Sequence, residues 1–213
     1  ARHQYPNGLL IDGADLGQAI EDTASQLAKS KRLPVFEATF KQDGVLVRND
    51  LLLPVKGGYH LAEVKSSTQV KDYHLNDVAI QAYVTEQAGV SLSRISVVHI
   101  DNSFVYPGSR NYTGLFTPVD VTEKARQLIP LVPEWIKTAQ ETLAGPEPDV
   151  EPGPQCHDPF DCPFIDYCHP PEDLTAHPVE LLPHSQKLAA TLRSEGYSDI
   201  RDIPKGRLNT DRH

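Results

Sequence analysis

Two acidic residues and a lysine stand at a spacing that is typical of metal-assisted hydrolysis. Asp50 lies in one predicted strand, and Glu63 and Lys65 lie two residues apart near the end of the next. Two carboxylates can hold a divalent cation, which polarises a phosphate and lowers the pKa of an attacking water. A neighbouring ammonium can orient that water or stabilise developing negative charge. The chemistry that these residues fit is phosphodiester hydrolysis assisted by Mg²⁺ or Mn²⁺.

A predicted β-hairpin brings the three residues to one surface. Gly57-Gly58 is typical of a two-residue turn, because both positions can adopt positive φ. With those glycines as the turn, Asp50 pairs with Lys65 and Leu52 pairs with Glu63, and directly opposed residues share a face. A slip of one residue would separate them. The alternative interpretation is that these charges simply form the solvated face of the strands.

The apolar pattern predicts a mixed α/β chain. Periodic apolar residues predict a helix that Asp15 caps, then three strands, a second helix and a fourth strand, giving the order αβββαβ. The predicted strands are 35–40, 45–53, 59–66 and 95–100, and the second helix ends at Gly89. A helical stretch over 122–144 follows, which Pro130 and Pro133 should divide.

Composition divides the chain into four regions. We predict a core over 1–118, a helical extension over 119–145, a Pro-rich linker with the cysteines over 146–175, and a short helix and tail over 176–213. The sequence has no run of about 18 apolar residues, so we predict no membrane span. No signal peptide is visible, so we expect a cytoplasmic protein. The sequence has no Met, and we expect it to be a piece of a longer protein.

All three cysteines lie close together, at Cys156, Cys162 and Cys168. Their odd number and the lack of a secretory signal argue against a disulfide framework. Buried structural thiols are one alternative, but the clustering favours a zinc ion or an iron–sulfur cluster. Both groups need four ligands. Either His157 or His169 completes a Cys3His zinc site, or a fourth cysteine lies upstream.

These residues and this element order resemble the PD-(D/E)XK nuclease superfamily. Asp50, Glu63-Val64-Lys65 and Gln81 on the next helix carry the likeness. Within the superfamily the chain is most similar to RecB-type nucleases and to CRISPR-adaptation exonucleases with a cysteine-ligated [4Fe–4S] cluster. The stretches 35–40, 48–50, 77–81 and 162–168 also resemble a bacterial family in which a nuclease-like domain precedes an RNase H-like exonuclease domain.

The resemblance implies a metal-dependent DNA exonuclease with a restriction-endonuclease-like αβββαβ core and a C-terminal helical and cysteine-containing appendage. It implies that Asp50 and Glu63 ligate Mg²⁺ or Mn²⁺ and that Lys65 positions the nucleophilic water. It implies that Gln81 contacts DNA or orients the lysine. It further implies that the three cysteines bind a [4Fe–4S] cluster with a fourth cysteine from an upstream segment, and that an RNase H-like domain follows downstream.

The chain departs from the pattern of these nucleases at two places. The position four after Gln81 is Thr85, where the family motif has a tyrosine. The first helix offers Glu21 and Asp22, where the RecB-type core often carries a histidine. Glu37 on the first strand resembles a recurrent family glutamate.

The net charge of −9 is unusual for a protein that binds nucleic acid. We expect the substrate to be DNA with single-stranded ends. Because of the net charge, binding to it should be weak and salt-sensitive. The basic residues expected near the site are Lys29, Lys31, Arg32, Lys65 and Lys71. Two other functions fit the sequence: a binding or scaffold module with a decayed nuclease core, and an interaction domain stabilised by a Cys3His zinc site.

Overall fold

The structure is a computed structural model that describes residues 4–168, 175–182 and 186–208. The chain divides into two compact units, Ala1–Pro146 and Glu147–His213. The first unit contains a six-stranded sheet with helices, and the second contains short helical segments. Within the described ranges, no helix combines the length and the apolar character that crossing a membrane requires.

The first unit is built on one mixed sheet whose strands follow chain order. The strands are β1 (Leu9–Leu10), β2 (Val35–Gln42), β3 (Val45–Val55), β4 (Gly58–Val64), β5 (Leu92–Ile100) and β6 (Phe116–Asp120). The helices are α1 (Leu16–Leu27), α2 (Asp72–Gln87), α3 (Thr122–Leu128) and α4 (Val132–Ala144). β1 pairs with β2 and β4 with β5 in parallel, and the other neighbours pair antiparallel. The predicted order αβββαβ is found from α1 to β5.

The sequence pattern does not predict the two edge strands, β1 and β6. β1 has two residues, both exposed, which is too short to give an alternating pattern. β6 contains Pro118, which lacks an N–H and is tolerated because an edge strand leaves one side unpaired. The predicted end of the core at residue 118 therefore falls inside β6, and α3 and α4 belong to the same unit as the sheet.

The predicted helix boundaries are confirmed at α1 and between α3 and α4. The side chain of Asp15 accepts a hydrogen bond from the backbone N–H of Gln18 at 3.0 Å, and so caps α1. Pro130 and Pro133 divide the later helical stretch, where a 3₁₀ turn over Ile129–Leu131 separates α3 from α4. Proline lacks the N–H that a continuous helix needs at these positions.

One face of the sheet packs against α2. Leu52, Leu61 and Ile95, from three neighbouring strands, are fully buried and share a core with Val78 and Ala82 of the helix. Burying one such side chain contributes about 1.5–3 kcal/mol. This layer fixes the helix over β3, β4 and β5, and so decides which helix residues reach the end of β4.

The hairpin turn differs from its predicted position, and the predicted register was wrong by two residues. Leu52 pairs with Leu61 and not with Glu63, so Lys56 and Gly57 form the turn. Gly57 has a φ of +87°, which glycine adopts without a steric penalty. A slip of one residue would have turned the strand over, whereas a slip of two leaves Glu63 on its predicted face.

The second unit consists of short segments around a small apolar cluster. Its helices are α5 (Ile165–Cys168) and α6 (Gln186–Ser194), with 3₁₀ turns at Pro154–Cys156, Val179–Leu181 and Ile200–Asp202. The buried members of the cluster are Val179, Leu182, Ala189 and Leu192. The predicted last helix, 184–195, corresponds to α6, and its first two predicted residues lie outside the described residues. Gly196, with a φ of +92°, ends it.

Candidate active site

Asp50 lies where the regular pairing of β3 is interrupted. The β2–β3 pairing passes over Asp50 and the opposite Glu37, whose φ of +58° is uncommon for a residue with a side chain. The Asp50 Oδ2 accepts a hydrogen bond from the backbone N–H of Val64 at 2.7 Å. The carboxylate is therefore fixed at the C-terminal end of β4, beside the site residues that β4 and its end contribute.

Glu63 is a buried carboxylate with one unpartnered oxygen. Its residue is 7% exposed, and Oε1 accepts a hydrogen bond from the Lys65 ammonium at 2.8 Å. Among the described residues, Oε2 has no hydrogen-bond partner. Burial, and then the negative charge of Asp50, raise the pKa of Glu63, against the opposing effect of Lys65. Buried polar atoms are normally hydrogen-bonded, so this oxygen fits a ligand for a cation.

Asp50 carries a similar electrostatic cost. Burial raises its pKa, and the hydrogen bond from Val64 and the positive charge of Lys65 offset this only in part. The charge of Asp77 adds to the increase. Two carboxylates that are both hard to ionise and that repel each other are the arrangement that a bound divalent cation would stabilise.

Lys65 is held between an acid of the sheet and an acid of α2. Its Nζ donates to Glu63 Oε1 and to Asp77 Oδ2, forming two ion pairs. Burial acts to lower the pKa of Lys65, but the hydrogen bonds to Asp77 and Glu63 outweigh it, and the pKa lies above its ordinary value. The ammonium therefore stays charged and keeps a fixed position near both carboxylates.

Gln81 reaches this group through Asp77. The Gln81 Nε2 donates to Asp77 Oδ1 at 3.1 Å, so the two side chains form a chain of contacts from α2 to Lys65. Asp77 is a site residue that the sequence analysis missed. Its spacing of four from Gln81 puts both on one face of the helix, and this was the available signal.

Thr85, four residues after Gln81 on α2, has a structural role. Its side chain is fully buried, and Oγ1 accepts a hydrogen bond from Asn49 Nδ2 at 2.8 Å. Asn49 directly precedes Asp50 in β3. The helix face that carries Asp77, Gln81 and Thr85 therefore contacts both strands that supply the predicted site.

A groove of about 510 Å³ opens beside these residues. Asp50, Lys65 and Glu37 line it together with apolar residues that include Phe116. Glu37 forms an ion pair with Arg48 at 3.3 Å, so its negative charge already has a positive partner. The groove gives solvent and an extended ligand access to Asp50 and Lys65.

Arg32, which the sequence analysis expected near the site, lies beside the other end of β4. The Arg32 guanidinium lies 5.3 Å from the centroid of the Tyr59 ring, at the beginning of β4. The prediction that Arg32 lies near the site was therefore wrong, because the acids lie at the other end of that strand. Glu21 and Asp22 are exposed on α1, and Asp22 accepts a hydrogen bond from a neighbouring side chain of the same helix.

The three cysteines lie in the second unit as free thiols, the first two partly buried and the third exposed. His157 Nδ1 lies 2.8 Å from Asp161 Oδ1, and His169 lies outside the described residues. In the part of the chain that the structure describes, no three His, Cys, Asp or Glu side chains form a ready-made metal-binding group. The iron–sulfur cluster and the zinc site stay predictions.

His74 should make the stability of the fold depend on pH. It is buried, its Nδ1 accepts the Lys71 N–H at the beginning of α2, and burial followed by the charges of Lys65 and Lys71 lowers its pKa below 6.5. At His74 the unfolded chain therefore binds more protons below about pH 6.5, and the contribution of this residue to the free energy of unfolding should fall as the pH falls.

His74→Gln tests this, because glutamine at the third helical position can still accept the capping hydrogen bond but does not titrate. Denaturant unfolding between about pH 7.5 and about pH 5.5 should give a smaller loss of stability for His74→Gln than for the unmodified chain. Equal losses in the two chains would mean that His74 does not titrate as its surroundings indicate.

No family model matches the chain, and no curated protein matches it. The chain is therefore described by its own fold and by the side chains of its candidate site. The first unit is a mixed α/β domain in which the ammonium of Lys65 pairs with Glu63 and Asp77 at the open end of a hairpin. The half-buried carboxylate of Asp50 lies near enough to act electrostatically on Glu63.

Proposed function

We propose that the chain is a metal-dependent nuclease of the PD-(D/E)XK type, with α1 to β5 as a restriction-endonuclease-like core. The observation that carries the proposal is the buried Oε2 of Glu63, which lacks a partner among the described residues and lies near a second, half-buried carboxylate, Asp50. Carboxylate oxygens are the ligands that Mg²⁺ and Mn²⁺ prefer. Asp50 and Glu63 would hold the ion.

The residues of the site have separate roles in this proposal. A bound divalent cation would polarise the scissile phosphate and lower the pKa of the attacking water. The Lys65 ammonium orients that water and donates a hydrogen bond where negative charge develops on the phosphate. Asp77 is a positioning residue, since it holds the ammonium, and Gln81 in turn holds Asp77.

The proposed substrate is DNA, cut from single-stranded ends, and the proposed setting is the cytoplasm of a bacterium. The groove that contains Asp50 and Lys65 is open, which suits a flexible strand. The free thiols of the second unit have the chemistry of ligands for a [4Fe–4S] cluster, although the described residues do not bring them into a ligand group. We also propose an RNase H-like domain as a partner of this nuclease domain.

One observation favours a second function, a binding or scaffold module that no longer cleaves. The ammonium of Lys65 already pairs with Glu63 and Asp77, so its charge is balanced before any phosphate arrives. The net charge of −9 also opposes the approach of nucleic acid. This module would keep the fold and the groove but would not hydrolyse a phosphodiester with any metal.

Cleavage of end-labelled single-stranded DNA separates the two functions. The nuclease should cleave with Mn²⁺ and not with EDTA, and Asp50→Asn should lower the rate by at least about 100-fold. Asparagine can still accept the Val64 N–H, so the variant should fold. Asp149→Asn, at an exposed carboxylate of the second unit, is the matched control. Cleavage that persists in EDTA or in Asp50→Asn contradicts the proposal, and a folded chain that never cleaves supports the scaffold module.

A further inference from the structure

Two tyrosines project from the loop that joins β5 to β6. The rings of Tyr106 and Tyr112 stack with their centroids 5.2 Å apart and their planes 21° apart. Each residue is 50% exposed, and neither belongs to an apolar core cluster of the described residues. Large aromatic side chains are usually buried, so a stacked pair in solvent needs a reason.

The loop is built to hold the pair in place. Ser109 and Arg110 both have positive φ, at 52° and 57°, a conformation that costs about 1–3 kcal/mol for a residue with a side chain. The backbone N–H of Arg110 donates to the Tyr106 hydroxyl at 2.8 Å, and the N–H of Leu115 donates to the Tyr112 carbonyl at 3.1 Å. The tight turn therefore depends on the side-chain hydroxyl of Tyr106.

The base of the loop belongs to the groove of the candidate active site. Ile100 and Phe116, which flank the loop, line the same groove as Asp50 and Lys65. The Ile100 N–H also donates to the carbonyl of Ser67 at 2.9 Å, which ties the loop to the segment that follows Lys65. A nucleic-acid strand whose phosphate lies in the groove can therefore continue along the loop.

We propose that the Tyr106–Tyr112 pair stacks on the bases of a single-stranded nucleic acid that enters this groove, an inference that rests on the proposed function. Every base has a π-face, so aromatic stacking is independent of sequence. A duplex hides these faces between its own base pairs, so the pair selects single strands. The exposed Arg110 beside the rings offers a positive charge to the phosphate backbone.

Binding without cleavage tests the inference. The affinity of fluorescein-labelled oligothymidylate of about 12 nucleotides, a length within the usual site sizes, is measured by anisotropy in EDTA. Tyr112→Ala should raise the Kd roughly 5- to 150-fold, since stacking of one base has that range of effect. Tyr112→Phe keeps the ring and should bind within about twofold of the unmodified chain. Tyr112→Leu keeps apolar volume without a ring and should bind as weakly as Tyr112→Ala.

Two controls isolate the bases and the rings. Val105→Ala changes an exposed apolar residue of the same loop and should leave the affinity unchanged. An abasic strand of the same length should bind the unmodified chain as weakly as oligothymidylate binds Tyr112→Ala. Equal affinity for the two strands, an unchanged Kd in Tyr112→Ala, or no binding by the unmodified chain would overturn the inference.

Failure of the inference about the tyrosine pair and failure of the proposed nuclease can be told apart. Binding that depends on the ring, in a chain that does not cleave with Mn²⁺, supports the tyrosine pair and contradicts the nuclease. Cleavage with Mn²⁺ by a chain whose binding ignores Tyr112 supports the nuclease and contradicts the tyrosine pair.

Discussion

Replacing Lys65 with alanine should reduce Mn²⁺-dependent cleavage of single-stranded DNA by about 100- to 1000-fold. The ammonium lies between Glu63 and Asp77, where it can orient water and meet developing negative charge. Alanine removes the donor and leaves both acids without their shared partner. The single-turnover rate on an end-labelled strand measures the chemical step directly, because it excludes slow release of the product.

Two further variants separate the role of Lys65 from a general loss of positive charge. Lys56→Ala removes an exposed lysine from the turn of the same hairpin and should leave the rate unchanged. Lys65→Arg keeps the charge but replaces a compact ammonium with a planar group, so it should restore little activity. Thermal unfolding of each variant shows that the fold is retained. A rate in Lys65→Ala within about twofold of the unmodified chain would contradict its role in the chemistry.

The hairpin explains why the grouping of Asp50, Glu63 and Lys65 was predictable although the register was not. A two-residue slip leaves the faces of Glu63 and Lys65 unchanged, so the grouping survives the error. The glycine pair gave the wrong turn because Gly58 has another role. A Cβ there would lie 2.4 Å from the carbonyl oxygen of Ser91, so Gly58 is required by the close approach of the segment before β5.

Contacts between distant elements could not be predicted from local pattern. The helical period places Asp77 and Gln81 on one face of α2, but the contact of Asp77 with Lys65 depends on how Val78 and Ala82 pack on the sheet. The stacked tyrosines are a similar case. They lie six residues apart in a loop without periodicity, and a turn with positive φ at Arg110 brings them together.

Glu63→Gln should abolish the stabilisation that Mn²⁺ gives to the unmodified chain. An ion that binds only the folded state at 100 times its Kd raises the free energy of unfolding by about 2.7 kcal/mol. Glutamine keeps an oxygen for the Lys65 ammonium but offers no negative charge to the ion. Thermal unfolding with and without Mn²⁺ measures the difference, and Glu123→Gln, exposed on α3, is the matched control.

The same variant should change how stability without metal depends on pH. Burial and the charge of Asp50 raise the pKa of Glu63 above 4.5, so at this residue the folded chain holds more proton than the unfolded chain once the pH exceeds that value. Stability without metal therefore falls as the pH rises through the raised pKa, and Glu63→Gln should lose less. The ion competes with this proton, so its stabilising effect should grow with pH. Equal stabilisation by Mn²⁺ in both chains would mean that the ion binds elsewhere, and the buried oxygen of Glu63 would no longer support a nuclease.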